Sequence, residues 1–378
     1  MADFVGKQFT QEEIAEKVKE QYDDEKTIIF YNIVMGGGGH DIHFGIFHDE
    51  KWGVLESSKA TTDKMMDDLN WASPVTKDST VLDLGSGHGG GTHSMVKRFG
   101  CTVQCMNLGP KQNEFNLAEC KKIGIADKVS CMEGNINNPF PSEWTGKFSH
   151  IWSCEVFCHV ADKVATLKEI YRCLKPGGVL VFSDLMGSDF ADEKQLKDFT
   201  DRNATSSMGR PSQYLEALRD SGLQYVQWWD GSFHLEKYFS EMVRQIDENR
   251  DVMKSKGLDD QYLNNWHQSL SDRVQMQKDY NVFAWGIFVA RKDPNGKFPV
   301  PKFEFKTEGG MAFFDAYMST RSFISGWYEG SKDDVAVYLA MGGAPKESVH
   351  PHAARWYKQV AKMMDSSFPG ASRAVSTN

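Results

Sequence analysis

No stretch of 18 or more apolar residues occurs anywhere in the 378-residue chain, so a membrane-crossing helix is not expected. The first residues, MADFVGKQFTQEE, lack the apolar core of a secretory leader. Basic charge is scarce as well. Against 52 Asp and Glu stand 43 Lys and Arg, a net charge of −9, and the longest basic clusters are pairs such as Lys121–Lys122. A face that neutralises phosphates needs more than this, so nucleic-acid binding is not expected. No CxxC is present. The seven cysteines, Cys101, Cys105, Cys120, Cys131, Cys154, Cys158 and Cys173, lie within one stretch and are odd in number. That argues against a disulfide framework or a structural zinc site. It favours reduced thiols, packed as small apolar side chains, in a cytoplasmic protein. Internal repeats are absent. What remains is 40% apolar and 25% charged, an ordinary globular composition, with length for two or three domains.

Residues 10–25 read as a helix: Thr10 and Glu13 form a capping box, and Ile14, Val18 and Tyr22 recur on one face. Residues 30–47, FYNIVMGGGGHDIHFGIF, are aromatic and glycine-rich, and Gly36 to Gly39 predict a mobile loop. Residues 54–71 return to helical spacing. From residue 80 onward strand and helix patterns alternate through VLVFSDLM, and one more strand, NVFAWGIFVARK, closes a helix-rich stretch over 190–290. Alternation of this kind predicts βαβ units, hence a Rossmann-like, doubly wound, mainly parallel α/β sheet. The expected division is N-terminal helices and lid over 1–75, an α/β domain over 76–292, a proline-bearing linker over 293–307, a helical module over 308–366 and a disordered tail over 367–378.

The strongest local signal is Val81-Leu82-Asp83-Leu84-Gly85-Ser86-Gly87-His88-Gly89-Gly90-Gly91. An apolar strand ends in an acid, and a GxGxGG loop opens a helix, so the backbone can approach a ligand closely. A dinucleotide loop places its acid at the end of the second strand. Here the acid, Asp83, precedes the glycines, and Asn107 ends the second strand. An acid before the glycines suits a ligand with an ammonium group, which points to S-adenosylmethionine.

Residues 22–290 resemble class I S-adenosylmethionine-dependent methyltransferases, and within them the sarcosine/dimethylglycine N-methyltransferases of glycine betaine formation. The resemblance rests on FYNIVMGGGGHDIHFGIF, VLDLGSGHGG, CMNLGPKQN, IWSCEVFCHV, LKPGGVLVFSDLM, DRNATSSMG and AWGIFVARK. It implies that Asp83, Gly85 and Gly87 line the methionine and ribose end of the cofactor. Asn107 and Gln112 would face the ribose and adenine, Asn135 and Ile136 would flank the adenine, and Ser153 would lie beneath the sulfonium. Tyr22, His43 and Gly45 would belong to a lid over the cofactor. Arg202 is expected to clamp a substrate carboxylate and His159 to accept a proton or orient the amine. Tyr31, Met186, Met208 and Trp285 are candidate walls for a methylated ammonium. The histidines His40, His43 and His48 lack a carboxylate partner pattern, so no metal is expected. Other acceptors fit the same class: a phosphobase, a sulfur compound, a sterol-like lipid or arsenite. A translation-associated scaffold without catalysis is the reading outside it.

The C-terminal stretch has its own pattern. Ser331 and Asp334 form a capping box, followed by Val335, Val337 and Leu339 as an expected buried run. Ser331-Lys332-Asp333-Asp334-Val335-Ala336-Val337, Gly342-Gly343-Ala344-Pro345 and Ala354-Arg355-Trp356-Tyr357 resemble the small helical domain of elongation factor 1 beta and delta subunits. That domain is itself like the C-terminal half of glutathione transferases. The resemblance implies a protein-docking or self-association surface over 308–366.

Overall fold

The computed structural model describes residues 24–202, 208–292, 303–319, 321–324 and 332–367, with all their side chains except those of 198–199, 201–202, 332–333 and 365–367. Residues 10–23 of the expected helix with its Tyr22, residues 203–207 within DRNATSSMG, most of the linker and the tail beyond residue 367 fall outside these residues.

The described chain forms two compact units, Met1–Leu223 with Gln227–Pro294, and Gln224–Val226 with Asn295–Asn378. The strands are β1 Thr80–Leu84, β2 Thr102–Asn107, β3 Val129–Glu133, β4 Phe148–Cys154, β5 Leu174–Gly187, β6 Gln224–Asp230 and β7 Phe283–Arg291. They form one sheet in the order β3-β2-β1-β4-β5-β7-β6. The pairs β1–β2, β2–β3, β1–β4 and β4–β5 are parallel, and β7 runs antiparallel to β5. Thus the α/β sheet expected from the alternating pattern is present. Every residue of β5 from Val179 to Met186 is buried, as a strand covered by helices on both faces requires. Each large apolar side chain so buried contributes about 1.5–3 kcal/mol relative to exposure.

Local chemistry sets the helix starts. Among the connecting helices α3 Gly90–Phe99, α4 Pro110–Lys122 and α5 Lys163–Cys173, α4 opens on a proline. Asp162 caps α5 by accepting the Ala165 N–H at 2.9 Å. This helix stops at Cys173, and Pro176 and Gly177 sit inside the first residues of β5, because a residue before proline is pushed to extended backbone. Before the sheet come α1 Glu25–Phe30, which runs on as a π-turn over Tyr31–Met35, and α2 Val54–Ala72. After β5 come α6 Glu193–Arg202 and α7 Pro211–Ser221, and between β6 and β7 a pair of 21-residue helices, α8 Leu235–Ser255 and α9 Asp260–Tyr280.

The chain runs from β1 outward to β3, then crosses back to β4 and β5. The strand order therefore reverses between β1 and β4, and the crevice at their carboxyl ends is where open α/β sheets hold ligands.

The second unit holds α10 Glu308–Met318, α11 Lys332–Met341 and α12 Pro351–Ser367 around Phe314, Met318, Ile324, Ala353, Trp356 and Val360. Asp334, buried, accepts from the Ile324 N–H and from Trp356 Nε1, both at 2.8 Å. Leu339 is 66% exposed, which corrects the expected buried run. Val335, Val337 and Leu339 are spaced two apart, and on a helix such residues spread around the axis instead of sharing a face. No helix among the described residues is long and apolar enough to cross a membrane.

Candidate active site

A cavity of about 260 Å³ opens at the strand-order reversal. Its floor is the glycine loop after β1. Gly85 has φ of +75°, and a Cβ there would meet Val156 Cγ2 at 2.3 Å. At Gly89, with φ of +86°, a Cβ would fall 2.3 Å from Asn116 Oδ1. Both positions need glycine for conformation and for space. Gly87, φ +51°, has nothing within 4 Å of its missing Cβ and faces open space.

Asp83 lies on the cavity wall, 3% exposed, and accepts from Thr92 Oγ1 of α3 at 2.6 Å. Burial pushes its carboxyl up to about 7, and the Thr92 bond offsets only part of that. An arriving cation would restore its charge. At the end of β2, the Asn107 amide donates to Gln112 Oε1 at 2.9 Å, and its Oδ1 accepts the Gly87 N–H at 3.4 Å. The glycine loop and α4 are thereby tied through one side chain. Asn135 and Ile136, in the turn after β3, line the same cavity. Asn137 beside them accepts the Ala161 N–H at 2.8 Å and links this turn to the one after β4. Ser86 Oγ is buried without a hydrogen-bond partner. A glycine cradle, a buried acid and an orphaned hydroxyl on one wall fit a ligand with an ammonium group and polar sugar edges. Asp83, Gly85, Gly87, Asn107, Gln112, Asn135 and Ile136 could hold it.

The opposite end of the segment 31–47 closes on this wall. Tyr31, His40, Asp41, Ile42, His43 and Phe44 line the cavity. His43 Nδ1 faces the Phe44 carbonyl at 3.1 Å and Nε2 faces Thr62 Oγ1 at 3.0 Å, while that hydroxyl donates to Asp41 Oδ1 at 3.0 Å. The hydroxyl proton is committed to the carboxylate and a carbonyl only accepts. Both ring nitrogens must then donate, and the contacts assign His43 as an imidazolium. Burial works against that charge; the Cys154 sulfur and the Asp41 carboxylate outweigh it and hold the ring above its usual range. Gly45 sits outside the cavity wall, where a Cβ would meet Ser57 Oγ of α2 at 2.1 Å.

After β4 the wall is Cys154, Glu155, Val156, Cys158 and His159. His159 is on the wall as expected, but burial, reinforced by the Lys163 ammonium, pushes its ring down to about 4, so it is neutral and a weak base. Glu155 has φ of 57°, a left-handed conformation that costs a non-glycine residue about 1–3 kcal/mol. Its Oε1 accepts from Trp285 Nε1 at 2.6 Å and from Ser183 Oγ at 3.1 Å. The remaining wall is Ile28, Met35, Leu185, Met242, Trp266 and Arg273, the last three from α8 and α9. Arg273 is 7% exposed.

Ser153, Met186, Met208 and Trp285 are buried but off the cavity wall. Ser153 Oγ donates to the Leu84 carbonyl at 2.9 Å and so joins β4 to β1. Arg202 ends α6, its side chain lies outside the described ones, and Tyr22 lies outside the described residues. Sequence reading missed Glu155, Arg273, Asp41, Met242 and Trp266. Glu155 stood in plain view inside the quoted SCEVFCHV, whereas Arg273 sits in a helix with no motif around it. Among the described residues no group of His, Cys, Asp and Glu can hold a metal ion.

Residues 82–182 match the family profile described as a methyltransferase domain. The sarcosine/dimethylglycine N-methyltransferase of Halorhodospira halochloris is 28% identical over 73% of this chain and 96% of its own length. The enzyme of the same name from Aphanothece halophytica is 27% identical over 74% of this chain and 98% of its own. A solved structure of a candidate sarcosine dimethylglycine methyltransferase from Galdieria sulphuraria superimposes with a TM-score of 0.64, at 25% identity, over 72% of this chain and 99% of that one. More than a quarter of this chain thus lies outside each match. The chain carries a class I S-adenosylmethionine-dependent methyltransferase domain.

Proposed function

We propose that the protein methylates the amine of a small amino acid, sarcosine or dimethylglycine, toward glycine betaine. The observation that carries this reading is Arg273, a guanidinium on the cavity wall and 7% exposed. A planar fork at that depth matches the two oxygens of a carboxylate, as it also would a phosphate. The relatives named above, whose names state this chemistry, support it over nearly their whole lengths.

A bound S-adenosylmethionine would supply a methyl carbon on a cationic sulfur, open to attack by a nitrogen lone pair, with the electron pair of the carbon–sulfur bond left on sulfur. The chain's part is to hold the reactants in line and dry. Asp83 takes the ammonium end of the cofactor, and Asn107 with Gln112 takes the ribose and adenine edge. Tyr31 and Trp266 put aromatic rings on the wall of the cavity that would take the methylated cation. His43, as an imidazolium near the glycine loop, adds positive potential that favours an acceptor with a carboxylate.

A second reading has its own support. Ile28, Met35, Ile42, Leu185 and Met242 make much of the wall apolar, which suits an acceptor with a hydrocarbon body. The test is transfer of labelled methyl to glycine, sarcosine, dimethylglycine, phosphoethanolamine, a sterol and arsenite. Turnover on sarcosine or dimethylglycine supports the first reading, and turnover confined to the sterol would replace it with the second. The seven cysteines are all unpaired, which supports a reducing, cytoplasmic setting. The helical unit exposes Phe313, Leu339, Val349 and Met363 and is proposed as a docking or self-association surface, checked by sedimentation of the full chain.

A further inference from the structure

At Glu155 the chain leaves β4 in a conformation its residue type disfavours. Among the described residues, Asn281 at the end of α9 is the other non-glycine in the left-handed region, and asparagine tolerates it readily. Two kinds of bond hold Glu155 there. Its N–H donates to the Ser183 carbonyl at 3.0 Å, and its Oε1 takes bonds from Trp285 and Ser183. The second oxygen, Oε2, is shielded from solvent and has no hydrogen-bond partner. One oxygen is thus fixed by the scaffold and the other is left unbonded in a residue of the cavity wall. A buried carboxylate oxygen with nothing to accept from is costly unless a ligand brings the donor.

The missing donor has a chemical type. Ser183 and Trp285, both neutral, already serve Oε1, and a protonated amine is the N–H donor that a methyl acceptor would bring to Oε2. We propose that Glu155 Oε2 accepts the ammonium proton of the methyl acceptor, making Glu155 the catalytic residue that frees the nitrogen lone pair. This rests on the amine reading of the site. The proton passes from nitrogen to Oε2, the electrons of the broken N–H bond become the lone pair, and the carboxylate becomes a carboxylic acid. That lone pair then forms the new nitrogen–carbon bond. The acid returns its proton to solvent when the product leaves.

The surroundings suit the task. Burial pushes the Glu155 carboxyl up to about 7, and the Asp184 carboxylate of β5 adds to that. The Trp285 bond, His43 and Ser183 oppose it. Cys154 and Cys158 beside it, Tyr214 of α7 and Tyr238 of α8 are further titratable groups around it. A base with its pKa near the working pH transfers protons best, and His159, pushed down to about 4, does not meet that condition.

The test compares the full-length protein with Glu155→Gln and Glu155→Asp, using dimethylglycine and sarcosine as acceptors. Glu155→Gln keeps the shape and an oxygen for Trp285. Its kcat at pH 7 is expected to fall by about 10²–10⁴-fold, the usual worth of a positioned base. Its affinity for S-adenosylhomocysteine, measured by calorimetry, should stay within about threefold, since Oε2 serves the acceptor and not the cofactor. The rate of the wild type should rise with pH through the ionisation of Glu155 and level off. In the glutamine variant that limb should vanish, leaving a rise toward the amine's own higher pKa. Glu155→Asp should recover part of the rate. A glutamine variant as active as wild type, with the same pH profile, overturns the proposal. Equal loss of cofactor affinity overturns it in favour of a structural role. If the wild type itself methylates no amine while binding cofactor, the amine reading falls first and this role with it.

Discussion

Asp83 is a carboxyl buried on the cavity wall, and an ammonium arriving there would offset the cost of its charge. In β1 it sits in register with Cys105 of β2 and Trp152 of β4, an apolar setting for an acid. Its pKa, pushed up to about 7, lies above the unfolded value of 3.8. The folded state therefore binds more protons across that window. The stability this group contributes is present below pH 4 and is lost as pH rises through 7. Without cofactor, the melting temperature should fall between pH 5 and 7.5, and Asp83→Asn should flatten that slope. Affinity for S-adenosylmethionine should move the other way and rise with pH over the same window, because the ammonium needs the ionised acid. Calorimetry at three pH values checks the sign, and a pH-independent affinity would refute it. Arg273 makes a simpler prediction. Arg273→Ala should raise KM for a carboxylate acceptor by about 10²-fold, roughly two charge-assisted hydrogen bonds at 1.5–3 kcal/mol each less partial compensation by water. Arg273→Lys should recover only part of it, since lysine keeps the charge and loses the fork.

At the scale of elements, the site depends on loops pinned to the sheet. Asp184 at the end of β5 accepts the Cys158 N–H at 3.0 Å and the Tyr214 hydroxyl at 2.6 Å. One carboxylate thus joins β5, the turn after β4 and α7. Tyr214→Phe should cost about 1–3 kcal/mol, because it leaves a buried acceptor unmet. Urea unfolding would show it as a lower midpoint with an unchanged slope. The glycine loop is pinned by shape. Gly89→Ala would press a methyl on Asn116, whose Oδ1 bonds His93 Nε2 at 2.8 Å, and would strain φ at +86°. Cofactor affinity should drop at least tenfold in that variant, and an unaltered Kd would show that the loop can yield. The glycine loop and most of its flanking strands and helices were legible in the sequence, since glycine spacing, caps and apolar periods act over a few residues. The Val335, Val337, Leu339 run misled because an apolar alternation has period two, and helix α11 imposes 3.6.

At the scale of the molecule, each compact unit has its own apolar core. That of the helical unit centres on Trp356, fully buried beside Phe314 and bonded to Asp334. Trp356→Ala should cost about 3–5 kcal/mol locally, as large-to-small changes in a core do. Limited proteolysis should then cut within 308–366 while S-adenosylmethionine affinity of the other unit holds. Simultaneous loss of both would mean that the two units unfold as one.

The sequence by itself determined the class of fold and the glycine loop, and it singled out Asp83, Asn107 and Gln112, which line the cavity, because these are local: a strand, a turn that admits glycine alone and a helix start are neighbours in the chain. Tertiary structure alone brought together Glu155 and Arg273, the proposed base and the proposed carboxylate clamp, on one cavity wall. Glu155 draws its bonds from Ser183 and Trp285, 28 and 130 residues away, and Arg273 reaches the same cavity from a helix beyond β6. Period and spacing carry no record of such meetings. They follow from the reversal of strand order between β1 and β4, which gathers distant segments around one crevice.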